Sequence, residues 1–323
     1  MKPLRFFGFV IILVLLVILV GPLVIPIPPL PDPVPVQDLT DSDSRFIEVN
    51  SLQVHYKTYG SGEPVMVLLH GFASSTYTWN DVIPALSEVG TVIAYDRPAF
   101  GLTERPLPGE WTGDSPYSNE SQVAMAVGLM DALGVDKAVL IGHSAGAAIA
   151  LQTALEYPER VRGLVLVDPA VSSRSGIPGW AEPLINTPHF QRLGPYLSRS
   201  LAGKEGDAFL EAAWYDTSKF TEEDKAAYRE PLQVENWDAA LWEYTLSNRG
   251  TDLELRLGEV NQPVLVLSGD HDRIVPPEIS EKIAAELPNA RYGTMTACGH
   301  VPQEECPEEF LPPVLEFISR LFP

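Results

Sequence analysis

The chain has 323 residues, 45% of them hydrophobic, which is enough for a sizeable core and too apolar for a disordered protein. Lys and Arg number 22 against 43 Asp and Glu, and the formal charge of -21 speaks against nucleic acid or anionic lipid headgroups as the main partner. Two cysteines, Cys298 and Cys306, exclude a disulfide framework and a four-thiolate zinc site, and the sequence does not say whether they pair.

Residues 6–25 form an apolar run broken only by Pro22, near its end. At ~1.5 Å rise per residue, a helix of that length covers about 30 Å, the hydrocarbon thickness of a bilayer. Lys2 and Arg5 precede the run, and Asp32, Asp38, Asp41 and Asp43 follow it. The expectation is a transmembrane anchor over residues 1–25, with the N-terminus cytoplasmic and the rest on the outer side. The alternative is secretion after signal cleavage, although the run is long for a signal and no A-x-A-like site follows it. Seven prolines between Pro22 and Pro35 forbid helix, so residues 26–44 are expected to form an extended linker that ends in acidic and polar residues.

From Arg45 onward, short apolar strands alternate with helical patterns, the signature of a mostly parallel α/β sheet covered by helices on both faces. Residues 46–49 and 52–59 are expected to open it as a hairpin turned at Asn50-Ser51. Buried strands follow over residues 65–69, 92–95, 138–141, 164–167 and 264–268, with a last one near 290–294. Residues 171–257 interrupt this rhythm with a helical pattern carrying Trp180, Phe190, Trp214, Tyr215, Trp237, Trp242 and Tyr244. An insertion of that length predicts a helical cap on a domain spanning residues 45–323, most of its aromatics packing and one or two lining a pocket.

The chemistry centres on Gly142-His143-Ser144-Ala145-Gly146, between a strand and a helix that opens at Ala145. A nucleophile on a sharp strand-to-helix turn needs small residues two positions away on each side, and Gly142 and Gly146 meet that need. The helix N-terminus aims N–H groups and partial positive charge at the place where an oxyanion would form. Serine also needs a base and a group that orients the base. Gly269-Asp270-His271-Asp272 ends one strand, and Cys298-Gly299-His300 follows the last. Asp272, Asp270 and Asp168 are the competing acids. His70 is expected to brace a loop, His143 to point into neighbouring structure, His55 to be a surface residue without a partner, and His271 to satisfy its own turn. No histidine pairing suggests a metal, and Cys298 is expected to be a small buried filler.

From residue 46 to the C-terminus the chain resembles the α/β-hydrolase superfamily. The resemblance rests on His70-Gly71-Phe72, on Asp96-Arg97-Pro98-Ala99-Phe100-Gly101, on the turn at Ser144, on Gly269-x-x-Asp272, and on Gly299-His300 before an acidic helix. It implies Ser144 as nucleophile, His300 as base, Asp272 as the orienting acid, and an oxyanion hole from the backbone N–H groups of Phe72 and Ala145. Haloalkane dehalogenases and epoxide hydrolases of this fold use a carboxylate nucleophile, which Ser144 argues against. The expected activity is hydrolysis of a small to medium carboxylic ester through an acyl-enzyme, with no cofactor, no metal and no protein partner. Hydrolysis of a carbon–carbon bond, an amide or a peptide by the same residues is the alternative, and a non-catalytic scaffold is the reading from another class.

Overall fold

A computed structural model describes residues 2–171, 182–248 and 250–322. Trp180, one of the cap aromatics singled out above, lies outside the described residues. Helix α1 occupies Lys2–Val24, with Pro22 inside it. Among the described residues, no helix is long and apolar enough to cross a membrane. This overturns the expected single-pass anchor and, with it, the placement of the folded part across a membrane. The end of α1 engages protein instead: the carbonyls of Leu19 and Ile25 accept from His189 Nε2 at 2.5 Å and Arg192 Nη2 at 3.1 Å. The proline-rich segment after it also lies against protein. Arg199 Nη1 donates to Pro28 O at 2.7 Å, and Val34 pairs with Val234 as an isolated bridge.

Eight strands build one sheet in the order β1-β2-β4-β3-β5-β6-β7-β8. They are β1 (Arg45–Val49), β2 (Leu52–Tyr59), β3 (Val65–Leu69), β4 (Thr91–Tyr95), β5 (Ala138–His143), β6 (Val161–Val167), β7 (Val264–Gly269) and β8 (Ala290–Met295). The β1/β2 and β2/β4 pairs are antiparallel and all later pairs are parallel. Asn50 and Ser51 have φ of 51° and 65°, the left-handed pair that closes a two-residue hairpin. Strand β6 begins three residues before its apolar run, at Val161, because exposed Arg162 interrupts the hydrophobic pattern without interrupting the pairing.

The strict two-residue alternation of a strand divides the core into two layers. In β3, Val67 and Leu69 face helices α2 (Asn119–Ala132) and α3 (Ala145–Glu156), whose Val123, Leu129, Ile149 and Leu151 fill that layer. Met66 and Leu68 face the opposite layer, closed by Phe310, Val314 and Ile318 of the C-terminal helix, Pro307–Leu321. Between β6 and β7 the chain leaves the sheet and forms α4 (Pro188–Ser198), α5 (Lys204–Ala213), α6 (Glu222–Arg229) and α7 (Trp237–Ser247). Trp237, Ala240 and Leu241 of α7 pack on Ala99, Phe100 and Tyr117. These contacts seat the helices over the carboxyl edge of the sheet, where the loops that carry chemistry emerge.

Candidate active site

Strand β5 ends at His143, and the chain turns into α3 through Ser144, whose φ of 52° and ψ of -118° are strained for a side chain other than glycine. The turn is closed by Ser144 N donating to Val167 O at 2.8 Å and Ala147 N donating to Ser144 O at 3.0 Å. The two flanking glycines are required by space. A Cβ at Gly142 would lie 2.6 Å from Ala147 Cα, and one at Gly146 would lie 2.1 Å from Leu69 O. Ala145, as the first residue of α3, has no acceptor for its N–H within the helix.

Three loops bring three groups together. His300 Nε2 lies 3.0 Å from Ser144 Oγ, and His300 Nδ1 lies 2.7 Å from Asp272 Oδ2. The other oxygen of Asp272 accepts from the backbone N–H groups of Ile274 at 2.7 Å and Val275 at 2.9 Å, which fixes the carboxylate after β7. All three side chains are buried. Neither rival acid is hydrogen-bonded to His300, although Asp168 lies against Asp272. Asp270 accepts from Cys298 N at 3.2 Å and faces exposed His271 at 2.6 Å. Asp168, left-handed at the end of β6, accepts from Ser268 Oγ at 2.7 Å and Gly269 N at 3.2 Å. Burial first, and the nearby Asp272 carboxylate second, push the Asp168 carboxyl well above the usual range. Asp272→Asn is therefore expected to lower kcat by ~10⁴ by freeing the wrong imidazole tautomer. Asp168→Asn, which keeps the shape of the side chain and leaves the Asp272–His300 contact in place, is expected to leave kcat within about threefold. Steady-state rates of both variants on one substrate check the contrast.

A family model described as "alpha/beta hydrolase fold" matches residues 64–307. The chain belongs to the α/β-hydrolase fold family. It is 32% identical to the hydrolase YugF of Bacillus subtilis over 281 residues, covering 86% of this chain and 98% of that protein. It is 31% identical over 291 residues to the 2-hydroxy-6-oxononadienedioate/2-hydroxy-6-oxononatrienedioate hydrolase of Burkholderia vietnamiensis, covering 86% and 96%. A crystal structure of a membrane phospholipase A, 22% identical, superposes with a TM-score of 0.68 over 99% of both chains and shows the shared fold.

Other residues of this α/β-hydrolase correct or extend the reading of its sequence. His55 is not a surface residue: it is buried, with Nδ1 2.7 Å from Asp96 Oδ2 and Nε2 3.0 Å from Ser44 Oγ. Burial opposes ionisation of Asp96, but His55 and donors including Leu102 N prevail and hold its carboxyl well below the usual range. His70 braces the loop after β3. Its Nδ1 donates to Gly71 O at 2.8 Å, its Nε2 accepts from Arg97 N at 2.9 Å, and burial with the Arg97 charge pulls its pKa down to about 3. Arg97 completes the brace by donating to His70 O at 2.8 Å and Gly71 O at 3.0 Å. The sequence pattern offered Arg97 only as part of a motif. His143 Nε2 donates to His300 O at 2.6 Å, and burial holds this imidazole neutral. Ligand atoms of His143, Asp168 and His300 lie within 4.8 Å of one another, but the ring nitrogens of His300 are committed to Ser144 and Asp272.

His300 is tied to the helices between β6 and β7. His300 N donates to Ala213 O at 2.6 Å, and buried Glu305 accepts from Gly299 N at 2.6 Å, Asp216 N at 2.7 Å and Tyr215 N at 3.1 Å. Nothing local in the sequence distinguishes Glu305 from the neighbouring acids, because two of its three partners, Tyr215 and Asp216, come from the loop after α5. Cys298 is no mere filler: it forms a disulfide with Cys306, eight residues on, and the closed loop contains His300. In the loop-entropy account, a ring of that size contributes roughly 2–3 kcal/mol. The Cys298→Ser/Cys306→Ser variant is expected to unfold in urea with a free energy lower by about that amount, and an unchanged midpoint would refute the contribution.

Beneath the helices between β6 and β7 lies a narrow cleft of about 40 Å³, lined by Ala73, Phe100, Leu201, Phe209, Trp237 and Leu241 among others. Ser144 is not in its lining, and the serine is only 7% exposed. Phe72, next to Ala73, packs edge-on against Phe100 at 5.8 Å and Phe209 at 6.1 Å, at the end of the cleft that adjoins the loop after β3.

Proposed function

We propose that this α/β-hydrolase cleaves a carbon–carbon bond next to a ketone, in a substrate of the 2-hydroxy-6-oxo-dienoate class, with Ser144 as nucleophile, His300 as base and Asp272 as orienting acid. The observation that carries the catalytic part is the unbroken chain from Ser144 Oγ to His300 to Asp272, at 3.0 and 2.7 Å. Ser144 Oγ attacks the ketone carbon as His300 takes its proton, and the oxyanion is met by the N–H groups of Phe72 and Ala145. The carbon–carbon bond then breaks. With the substrate in its 2-oxo tautomer, the proton of the 2-hydroxyl moved to C5, the electron pair of that bond passes through the enone to the 2-oxygen, the resulting dienolate receives the proton from His300, and water releases the acyl group from Ser144.

Support for the bond type comes from the 31% identical relative named for such a substrate. The apolar cleft favours a second reading, hydrolysis of a carboxylic ester through the same acyl-enzyme. One experiment separates them. Purified protein is given 2-hydroxy-6-oxononadienedioate and, separately, p-nitrophenyl butyrate and hexanoate. The expected outcome is conversion of the nine-carbon substrate and one water into succinate and 2-hydroxypenta-2,4-dienoate, abolished in Ser144→Ala. Rapid release of p-nitrophenol with the dienedioate untouched would select the ester reading. Absence of both reactions and of labelling by a fluorophosphonate probe would reject a serine hydrolase.

A further inference from the structure

Arg105 follows the loop that leaves β4 and is 5% exposed, yet it lines the cleft beneath the cap. Its guanidinium is under-used. One terminal nitrogen, Nη2, donates to Gly101 O, whereas Nε and Nη1 have no hydrogen-bond partner among the described residues. The acids near it are committed elsewhere. Asp96 is bonded to His55, Thr76 N and Leu102 N, and Asp207, which shares the cleft lining, pairs with Arg229. Burial lowers the pKa of Arg105 to about 10, with Asp96 and Tyr117 opposing that shift, so the group remains charged at neutral pH. A buried cation with two unspent donors is costly, because each desolvated N–H loses water without a replacement. A carboxylate that accepts from one of these donors would remove part of that cost, because a charge-assisted hydrogen bond replaces the lost water.

We propose that Arg105 is the anion-binding residue of the cleft, holding a carboxylate of the substrate while the apolar walls hold its chain and the reacting carbonyl sits at Ser144. The cleft joins the two ends physically: Ala73 follows the proposed oxyanion residue Phe72, and Phe100, which packs on Phe72, is one residue from Gly101, whose carbonyl Arg105 holds. The proposal deepens the reading of a dienoate or dienedioate substrate and rests on it for the choice of carboxylate. It makes Arg105 a specificity-determining residue, acting on anionic substrates and indifferent to neutral ones of the same length.

The test compares chain-matched pairs: p-nitrophenyl hexanoate and octanoate against the mono-p-nitrophenyl esters of adipic and suberic acids. In Arg105→Gln, kcat/KM for at least one half-ester is expected to fall by roughly 10- to 100-fold, the range of a lost charged hydrogen bond, while the neutral esters stay within about threefold. Arg105→Lys is expected to recover part of the loss. Equal losses on charged and neutral esters, or none on either, would overturn the proposal. A variant that folds poorly is bypassed by titrating Ser144→Ala, with Arg105 intact, by adipate, suberate and their dimethyl esters in a calorimeter. Binding of a dianion and not of its neutral ester is expected, and the absence of that preference counts against the site. Dianion binding by a protein that turns over no ester or dienoate would leave the anion site standing and remove the hydrolase reading. Turnover of neutral esters with no preference for dianions would do the reverse.

Discussion

His300→Ala is expected to lower turnover by roughly 10⁴- to 10⁶-fold, and the double variant with Ser144→Ala to be no slower than either single variant. The reason is that serine and imidazole act as one unit: without Nε2 at 3.0 Å, the hydroxyl of Ser144 is a weak nucleophile at neutral pH. The residual rate would come from the oxyanion donors and from binding alone. Removing the ring also leaves Asp272 Oδ2 without its partner, although Oδ1 keeps the N–H groups of Ile274 and Val275. A modest loss of thermal stability is therefore expected in His300→Ala and not in Ser144→Ala. Single-turnover kinetics with parallel melting curves measure both. Additive losses in the double variant would mean that the two residues work independently, and the proposed mechanism would fall.

Glu304 should give the stability of the protein an unusual dependence on pH. It is buried between Thr78 and Tyr228, whose hydroxyls donate to Oε1, and Oε2 has no partner among the described residues. Burial raises its pKa to about 8, helped by Asp224 and Asp81 and opposed by the two hydroxyl donors. An unfolded glutamate titrates near 4.3. Between those two values the folded protein keeps a proton that the unfolded chain releases, so stability is greatest below the lower value and declines as pH rises towards 8. The full effect is on the order of 3–5 kcal/mol. Glu304→Gln keeps the acceptor for both hydroxyls and carries no titrating proton. Its urea-unfolding free energy is expected to match that of the wild type near pH 5 and to exceed it by a few kcal/mol near pH 8. Parallel curves for the two proteins across that range would refute the buried acid. His70 acts on the other limb: its pKa near 3 makes folding lose stability as pH falls below about 6.5, in both proteins alike.

Local patterns carried much of the fold. The β-branched runs that form β3, β4, β5 and β7, the left-handed pair Asn50-Ser51 and the glycines around Ser144 are each dictated by residues within a few positions. For the same reason the sequence singles out Ser144, Asp272 and His300, each of which sits in a short motif at the end of a strand. Local reasoning misjudged His55, because its partners Asp96 and Ser44 lie 41 and 11 residues away. It also gave too much weight to the apolar run at the N-terminus, whose helix bonds to cap residues His189 and Arg192 more than 160 positions on.

Composition and short-range patterning determined that the chain would form a mostly parallel sheet with a strained serine turn, because strand period, turn geometry and glycine requirements are set by neighbouring residues. The tertiary structure decided which acid faces His300, which carboxyl stays protonated, and where Arg105 is left with unspent donors. Those outcomes depend on burial and on partners drawn from distant loops, and the low polarity of the interior turns such placements into charge states.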